Sequence, residues 1–217
     1  MAVNTIVTIG REFGSGGKEV GEKLAAKLGV KCYDKELLTR AAKESGICQD
    51  IIEVHDEKPT KSFLYSLVMD TYSMGYMSNP YMDMPLDQKV FLAQFDAIRK
   101  IASEGPCVMV GRCADYALSE WSDVLNVFIQ APIEDRIKRI CQKQNLSEEK
   151  AKDLIVKTDK KRASYYNFYS NKKWGMSQSY DICINSSVLG IDGTVALLES
   201  MVQAKDSKLL VTVQTQA

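Results

Sequence analysis

Asn4-Thr5-Ile6-Val7-Thr8-Ile9-Gly10-Arg11-Glu12-Phe13-Gly14-Ser15-Gly16-Gly17-Lys18 joins a β-branched apolar run to a loop with glycines at 14, 16 and 17, and then to a lysine. The helical pattern Val20, Leu24, Ala25, Leu28 follows at once. Strand, glycine-rich loop and helix in that order build an anion nest. The glycines let backbone N–H groups turn toward a phosphate, and the positive end of the helix dipole points at it. Phosphate binding is thereby assigned to the amides of Gly14, Ser15, Gly16 and Gly17. Lys18 stands where an ammonium reaches the β- and γ-phosphates of a nucleotide. Against the pattern G-x-x-x-x-G-K-[ST], Glu12 replaces the first glycine and Glu19 replaces the closing hydroxyl.

Outward from this stretch, further short apolar runs lie between turn residues: Val30–Tyr33, Cys107–Val110 after Gly105-Pro106, Val124–Ile129 before Ala131-Pro132, and Tyr180–Asn185. With Thr5–Ile9 they predict five strands separated by helical patterns. That alternation indicates an α/β fold with a parallel sheet buried on both faces and ligands at the strands' carboxyl ends. Two regions break the rhythm. Residues 48 to about 86 are rich in Met, Tyr, Ser and Pro and read as an inserted subdomain, with methionines at 69, 74, 77, 82 and 84 as adaptable packing. Residues 145 to about 175 read as a charged helix with an N-cap near Ser147, ending in the aromatic cluster Tyr165–Tyr169. Packing of that cluster against a core is preferred over stacking on a base. The tail from 206 to 217 shows no helical pattern, and Leu209–Val213 reads as an edge strand or as disordered.

The 217 residues suffice for one full core. Lys+Arg and Asp+Glu both total 28. A balanced charge argues against a nucleic-acid coat or a polybasic membrane anchor, but allows a local basic site for a small polyanion. Six cysteines without a CxxC pair, and a single histidine, make a zinc site improbable on spacing. His55 has no framing pattern and reads as a surface residue. The opening Met-Ala-Val-Asn has no charged-then-apolar leader, no apolar stretch approaches membrane length, and the thiols suit a reducing compartment. The expectation is a cytoplasmic chain.

The order of these pieces resembles the nucleoside monophosphate kinases, most closely the cytidylate kinase-like family. Five segments carry the resemblance: Arg11–Lys18; Tyr33-Asp34-Lys35-Glu36-Leu37-Leu38-Thr39-Arg40; Val108-Met109-Val110-Gly111-Arg112; Ala131-Pro132-Ile133-Glu134-Asp135-Arg136-Ile137-Lys138-Arg139; and Thr158-Asp159-Lys160-Lys161-Arg162. What it implies is a P-loop fold with a core of 1–47, 87–144 and 176–205, an acceptor-binding insertion at about 48–86 and a lid at about 145–175. It further implies ATP and Mg²⁺ as cofactors, with CMP or dCMP as the first acceptors to consider. Asp34, Arg40 and Arg112 would hold the acceptor, and Arg162, oriented by Asp159, would stabilise the moving charge. Mg²⁺ would be held through bound water by Ser15, Glu19 or Asp34. The acidic residue that cytidylate kinases carry before the Gly-Arg turn is Val110 here.

The chemistry agrees with that implication. Phosphoryl transfer between two nucleotides needs positioning and charge stabilisation, with arginine forks on the acceptor phosphate and cations closing over the γ-phosphate. Plainer readings stay open: Arg40 as a solvated residue of an amphipathic helix, and Asp159 with Arg162 as a surface ion pair at i, i+3. As whole functions, a P-loop kinase for another small molecule and a nucleotide-binding sensor remain alternatives.

Overall fold

A computed structural model describes residues 3–58 and 84–215, with side chains as far as residue 207. Most of the expected insertion, and its methionines at 69, 74, 77 and 82, lies outside the described residues. In chain order, β1 (Ile6–Arg11) leads to α1 (Gly17–Leu28), β2 (Lys31–Tyr33), α2 (Lys35–Ser45) and α3 (Gln49–His55). Beyond the gap come α4 (Leu86–Ser103), β3 (Cys107–Val110), the one-turn α5 (Ala114–Ala117), β4 (Val124–Gln130) and α6 (Ile133–Gln144). Then α7 (Glu148–Ser170) precedes β5 (Ile182–Asn185) and α8 (Ser186–Thr215).

The five strands form one parallel sheet in the order β2-β3-β1-β4-β5, so β1 is central. Its alternation sets the two cores. Val7 and Ile9 face α1 and α8 with Val20, Leu24, Val127, Ile129, Leu198 and Val202. Ile6 faces the opposite layer with Leu37, Ile98, Ile101, Met109 and Leu118. Each such side chain contributes roughly 1.5–3 kcal/mol when removed from water. With both faces covered, ligands can approach only at the edges or at the strand ends.

Three sequence expectations change. The first strand extends to Arg11, which pairs with Ile129, so this arginine belongs to the sheet and not to the loop. The tail is helical to Thr215, neither an edge strand nor disordered. The helix was hidden because α8 breaks at Gly190 (φ 67°), and because Asp206 on it is buried, accepting from Thr5 Oγ1 at 2.7 Å and anchoring the start of β1. His55 is half-buried, and its Nδ1 pairs with the Asp87 carboxylate in the first turn of α4.

Candidate active site

The loop after β1 is held by its carbonyls, one from within and three from outside. Ser15 Oγ donates to Glu12 O at 2.9 Å, Arg136 donates to Phe13 O at 3.3 Å, Arg139 to Gly14 O, and Ser186 Oγ to Ser15 O at 2.6 Å. Gly14 and Gly16 take φ of 82° and 84°, the left-handed region that glycine adopts freely. Among the described residues, nothing accepts from the amides of Gly14, Gly16 and Lys18 at the start of α1. A cradle with its carbonyls tied and three of its amides unspent has the donor arrangement a phosphate needs.

Glu12 is structural. Its carboxylate accepts from Ala131 N at 3.0 Å and lies 3.5 Å from Arg136 Nε. Its backbone is not in the positive-φ region, so no glycine is required there. Burial pushes its carboxyl above the ordinary range, while the Ala131 amide and Arg136 pull the other way. Restoring the signature glycine should therefore weaken the protein. Glu12→Gly is expected to cost about 1–3 kcal/mol by stranding Ala131 N and removing the carboxylate beside Arg136, read as a lowered midpoint in thermal melting; an unchanged midpoint would remove Glu12 from this role.

Lys18 Nζ lies 2.9 Å from Asp34 Oδ2 and 3.7 Å from Glu22. The Asp34 contact raises the lysine's pKa. Burial alone would raise the Asp34 carboxyl; Lys18 and Arg112 outweigh it and hold it low. Arg112 is buried at the end of β3, its backbone bent to φ 55° just after Gly111. It grips Asp56 through two bonds of 3.0 Å and reaches Asp34 O at 2.8 Å and Asp34 Oδ1 at 3.1 Å. Val110, in the place of the acidic residue, turns into the core against α1, where a Cβ on Gly21 would lie 3.0 Å from its methyl.

A second set faces the first. Arg11 NH1 lies 3.2 Å from Glu57 Oε1, and Arg162 Nε lies 3.4 Å from Glu57 Oε2. Burial tends to raise the Glu57 carboxyl, but Arg11, Arg162 and Arg112 hold it well below the usual range. Arg162 is pushed down to about 10 by burial and by Arg11, against the pull of Glu57 and Asp159. Asp159 does not orient Arg162. It accepts from Phe13 N at 2.7 Å and pairs with Arg136 at 2.5 Å, so it braces the cradle while Arg162 turns to Glu57.

These groups line one cleft of about 550 Å³ at the carboxyl ends of the strands. It includes Lys18, Asp34, Arg112 and Arg162 from the expected set, and Arg11, Asp56, Glu57, Arg139 and Lys143, which sequence reasoning missed. Arg40 is not brought to it: on the outer face of α2 its guanidinium pairs with Glu44 and Glu104. Glu19 lies at the rim, paired with Lys143 at 3.2 Å and Lys23 at 3.6 Å. The aromatic cluster packs. Tyr165 and Tyr166 are buried and donate to Gln94 and Asp115, while Tyr169 stacks on Phe91 at 3.9 Å. The signal that could have exposed Arg11 is its place at the end of a buried strand, where a cation needs a partner.

A central glycine cradle on a parallel five-stranded sheet, facing clustered cations, defines a protein with the P-loop kinase fold. The chain belongs to the cytidylate kinase-like family, which matches residues 6–188. Curated cytidylate kinases align along nearly the whole chain. That of Ignicoccus hospitalis is 23% identical over 91% of this chain and 98% of its own length, and that of Methanopyrus kandleri 22% over 93% and 94%. Among solved structures, an uncharacterized protein from Eubacterium ventriosum superposes with a TM-score of 0.68 at 30% identity, covering 92% of this chain and 99% of that one. A shikimate kinase from Bacteroides thetaiotaomicron, with a TM-score of 0.51 at 13% identity over 92% of this chain and 98% of its own, shares the fold. Family and fold together support a P-loop nucleotide kinase. No helix among the described residues is long and apolar enough to cross a membrane.

Proposed function

We propose that the protein transfers the γ-phosphoryl group of ATP to a nucleoside monophosphate, with CMP and dCMP as the first acceptors. The observation that carries this reading is the convergence of an unspent amide cradle with Lys18, Arg11, Arg112 and Arg162 in one cleft. Clustered cations around a phosphate nest suit a reaction that brings two polyanions together and needs charge stabilisation more than covalent chemistry. In this reading the amides of Gly14, Gly16 and Lys18 and the Lys18 ammonium hold the donor phosphates, while those of Ser15 and Gly17 donate within the loop. Arg112, steadied by Asp34, serves the acceptor, and α7 acts as a lid that carries Arg162.

Mg²⁺ fits the donor set through Asp34, a hard oxygen ligand 2.9 Å from Lys18, and would neutralise phosphate charge there through its bound waters. Ser15 suits the ion less, because its hydroxyl is spent inside the loop, and Glu19 lies at the rim, paired with Lys23 and Lys143 away from Asp34. Residues 48–86 are the segment assigned to the acceptor. A cytoplasmic setting fits six thiols that are all free.

A coupled assay of ADP release, run with CMP, dCMP, UMP, AMP and GMP beside a panel of small alcohols, tests the assignment. Turnover with a cytidine monophosphate is expected. Turnover confined to an alcohol, or ATP binding with no turnover on any acceptor, would overturn it in favour of a different P-loop kinase or a sensor.

A further inference from the structure

Arg11 is built into the sheet. Its side chain passes beside two glycines that leave it room: a Cβ on Gly17 would lie 2.5 Å from Arg11 Cβ, and a Cβ on Gly111, whose φ is 82°, would fall on its guanidinium. On the facing wall, Arg162 donates to Arg11 O at 3.3 Å, and its guanidinium lies 5.6 Å from the centre of the Phe13 ring. Both cations are close to nine-tenths buried at the side chain, and one carboxylate, Glu57, stands between them. That carboxylate does not satisfy them. Arg162 Nε, 3.4 Å from Glu57, is buried without a hydrogen bond, and Glu57 sits at φ 52°, a conformation a non-glycine residue adopts at a cost. Two buried like charges converging on a single strained anion form a site for a group with more oxygens than a carboxylate has.

We propose that Arg11 and Arg162 form a clamp for a phosphate of the bound nucleotides, and that Glu57 is a built-in anion occupying the clamp until that phosphate displaces it. The proposal rests on the phosphotransfer reading above and adds to it Arg11 as a phosphate-binding residue and Glu57 as an internal competitor. A phosphate would offer three oxygens to the two guanidinium forks and take up the idle Arg162 Nε–H. Glu57 would then leave its left-handed backbone conformation. It lies just after α3, within the segment assigned to the acceptor.

Calorimetric titration of the full chain with inorganic tripolyphosphate at fixed ionic strength tests this. Glu57→Gln, which keeps shape and removes the competing charge, is expected to bind about 5- to 20-fold more tightly than the wild type. Arg11→Gln should bind about 10- to 100-fold more weakly. Because that change strands Glu57, the double variant Arg11→Gln/Glu57→Gln carries the decision. It should melt within a few degrees of wild type and still bind more weakly than Glu57→Gln alone. Equal or weaker binding by Glu57→Gln, or a double variant that binds as well as Glu57→Gln, overturns the clamp. Lys18→Ala in the same titration separates the two claims. If only Lys18→Ala loses affinity, the clamp falls and the kinase reading stands; if the wild type binds neither tripolyphosphate nor ATP, both fall.

Discussion

Arg112→Ala is expected to unfold the protein at a markedly lower temperature and to leave almost no phosphotransfer. The argument begins with burial: the side chain is 4% exposed and holds Asp56 by a two-bond fork and Asp34 by side chain and backbone. Removing one partner of a buried ion pair leaves the other charge uncompensated, at a cost of about 3–5 kcal/mol. For a domain of this size that lowers the melting midpoint by roughly 2–4 °C per kcal/mol, or about 10 °C in all. Turnover should fall on the order of 10²-fold or more, because the proposed acceptor fork is gone and Asp34 no longer faces Lys18 in a fixed pose. The two effects separate in the triple variant Asp34→Asn/Arg112→Met/Asp56→Asn. It carries no buried charge at these positions and should recover most of the lost midpoint without recovering activity. A single variant that melts within 2 °C of wild type, measured by calorimetry, would remove Arg112 from the centre of the network.

What the sequence discloses here follows from where its signals are local. Gly105-Pro106 and Gly111 punctuate β3 so sharply that the expected strand matches Cys107–Val110. Ser147 caps α7 as its residue type suggests, accepting from Lys150 N. The glycine loop is legible because a phosphate cradle is built from consecutive residues. The clamp and the Arg112–Asp56 pair are not, since Arg11 meets Glu57 across 46 positions and Arg112 meets Asp56 across 56. Nothing within a turn of chain marks such pairs. Arg40 shows the converse. Its residue type and place after β2 are right for a phosphate ligand, yet Glu44, one helical turn on, and Glu104 draw it to the outer face. Glu12 had the appearance of a defect in the motif because the usual glycine there serves backbone geometry. In this loop the backbone does not need it, and the carboxylate has become a strut.

Lys18→Ala should do the opposite of Arg112→Ala: leave stability nearly intact while removing function. The Lys18 side chain is 53% exposed, and its pair with Asp34 is of the kind worth about 0–1 kcal/mol. Asp34 keeps Arg112 when the ammonium is lost, so no buried charge is stranded. The melting midpoint should move by no more than about 2 °C. In the cleft, by contrast, the ammonium belongs to the first turn of α1. There the unspent amides of Gly16 and Lys18 mark where donor phosphates are proposed to lie. Charge stabilisation by one such group is worth on the order of 10²–10³-fold in turnover, and that is the expected loss in kcat/KM for ATP. Some activity should remain, since Arg11 and Arg162 still face the same space from the end of β1 and from α7. Lys18→Arg should restore only part of it, because a planar fork does not replace a compact ammonium between Asp34 and a phosphate. Wild-type ATP affinity and turnover in Lys18→Ala would move the donor site away from the glycine loop altogether, and the remaining cations could not then be assigned to phosphates on their position beside it.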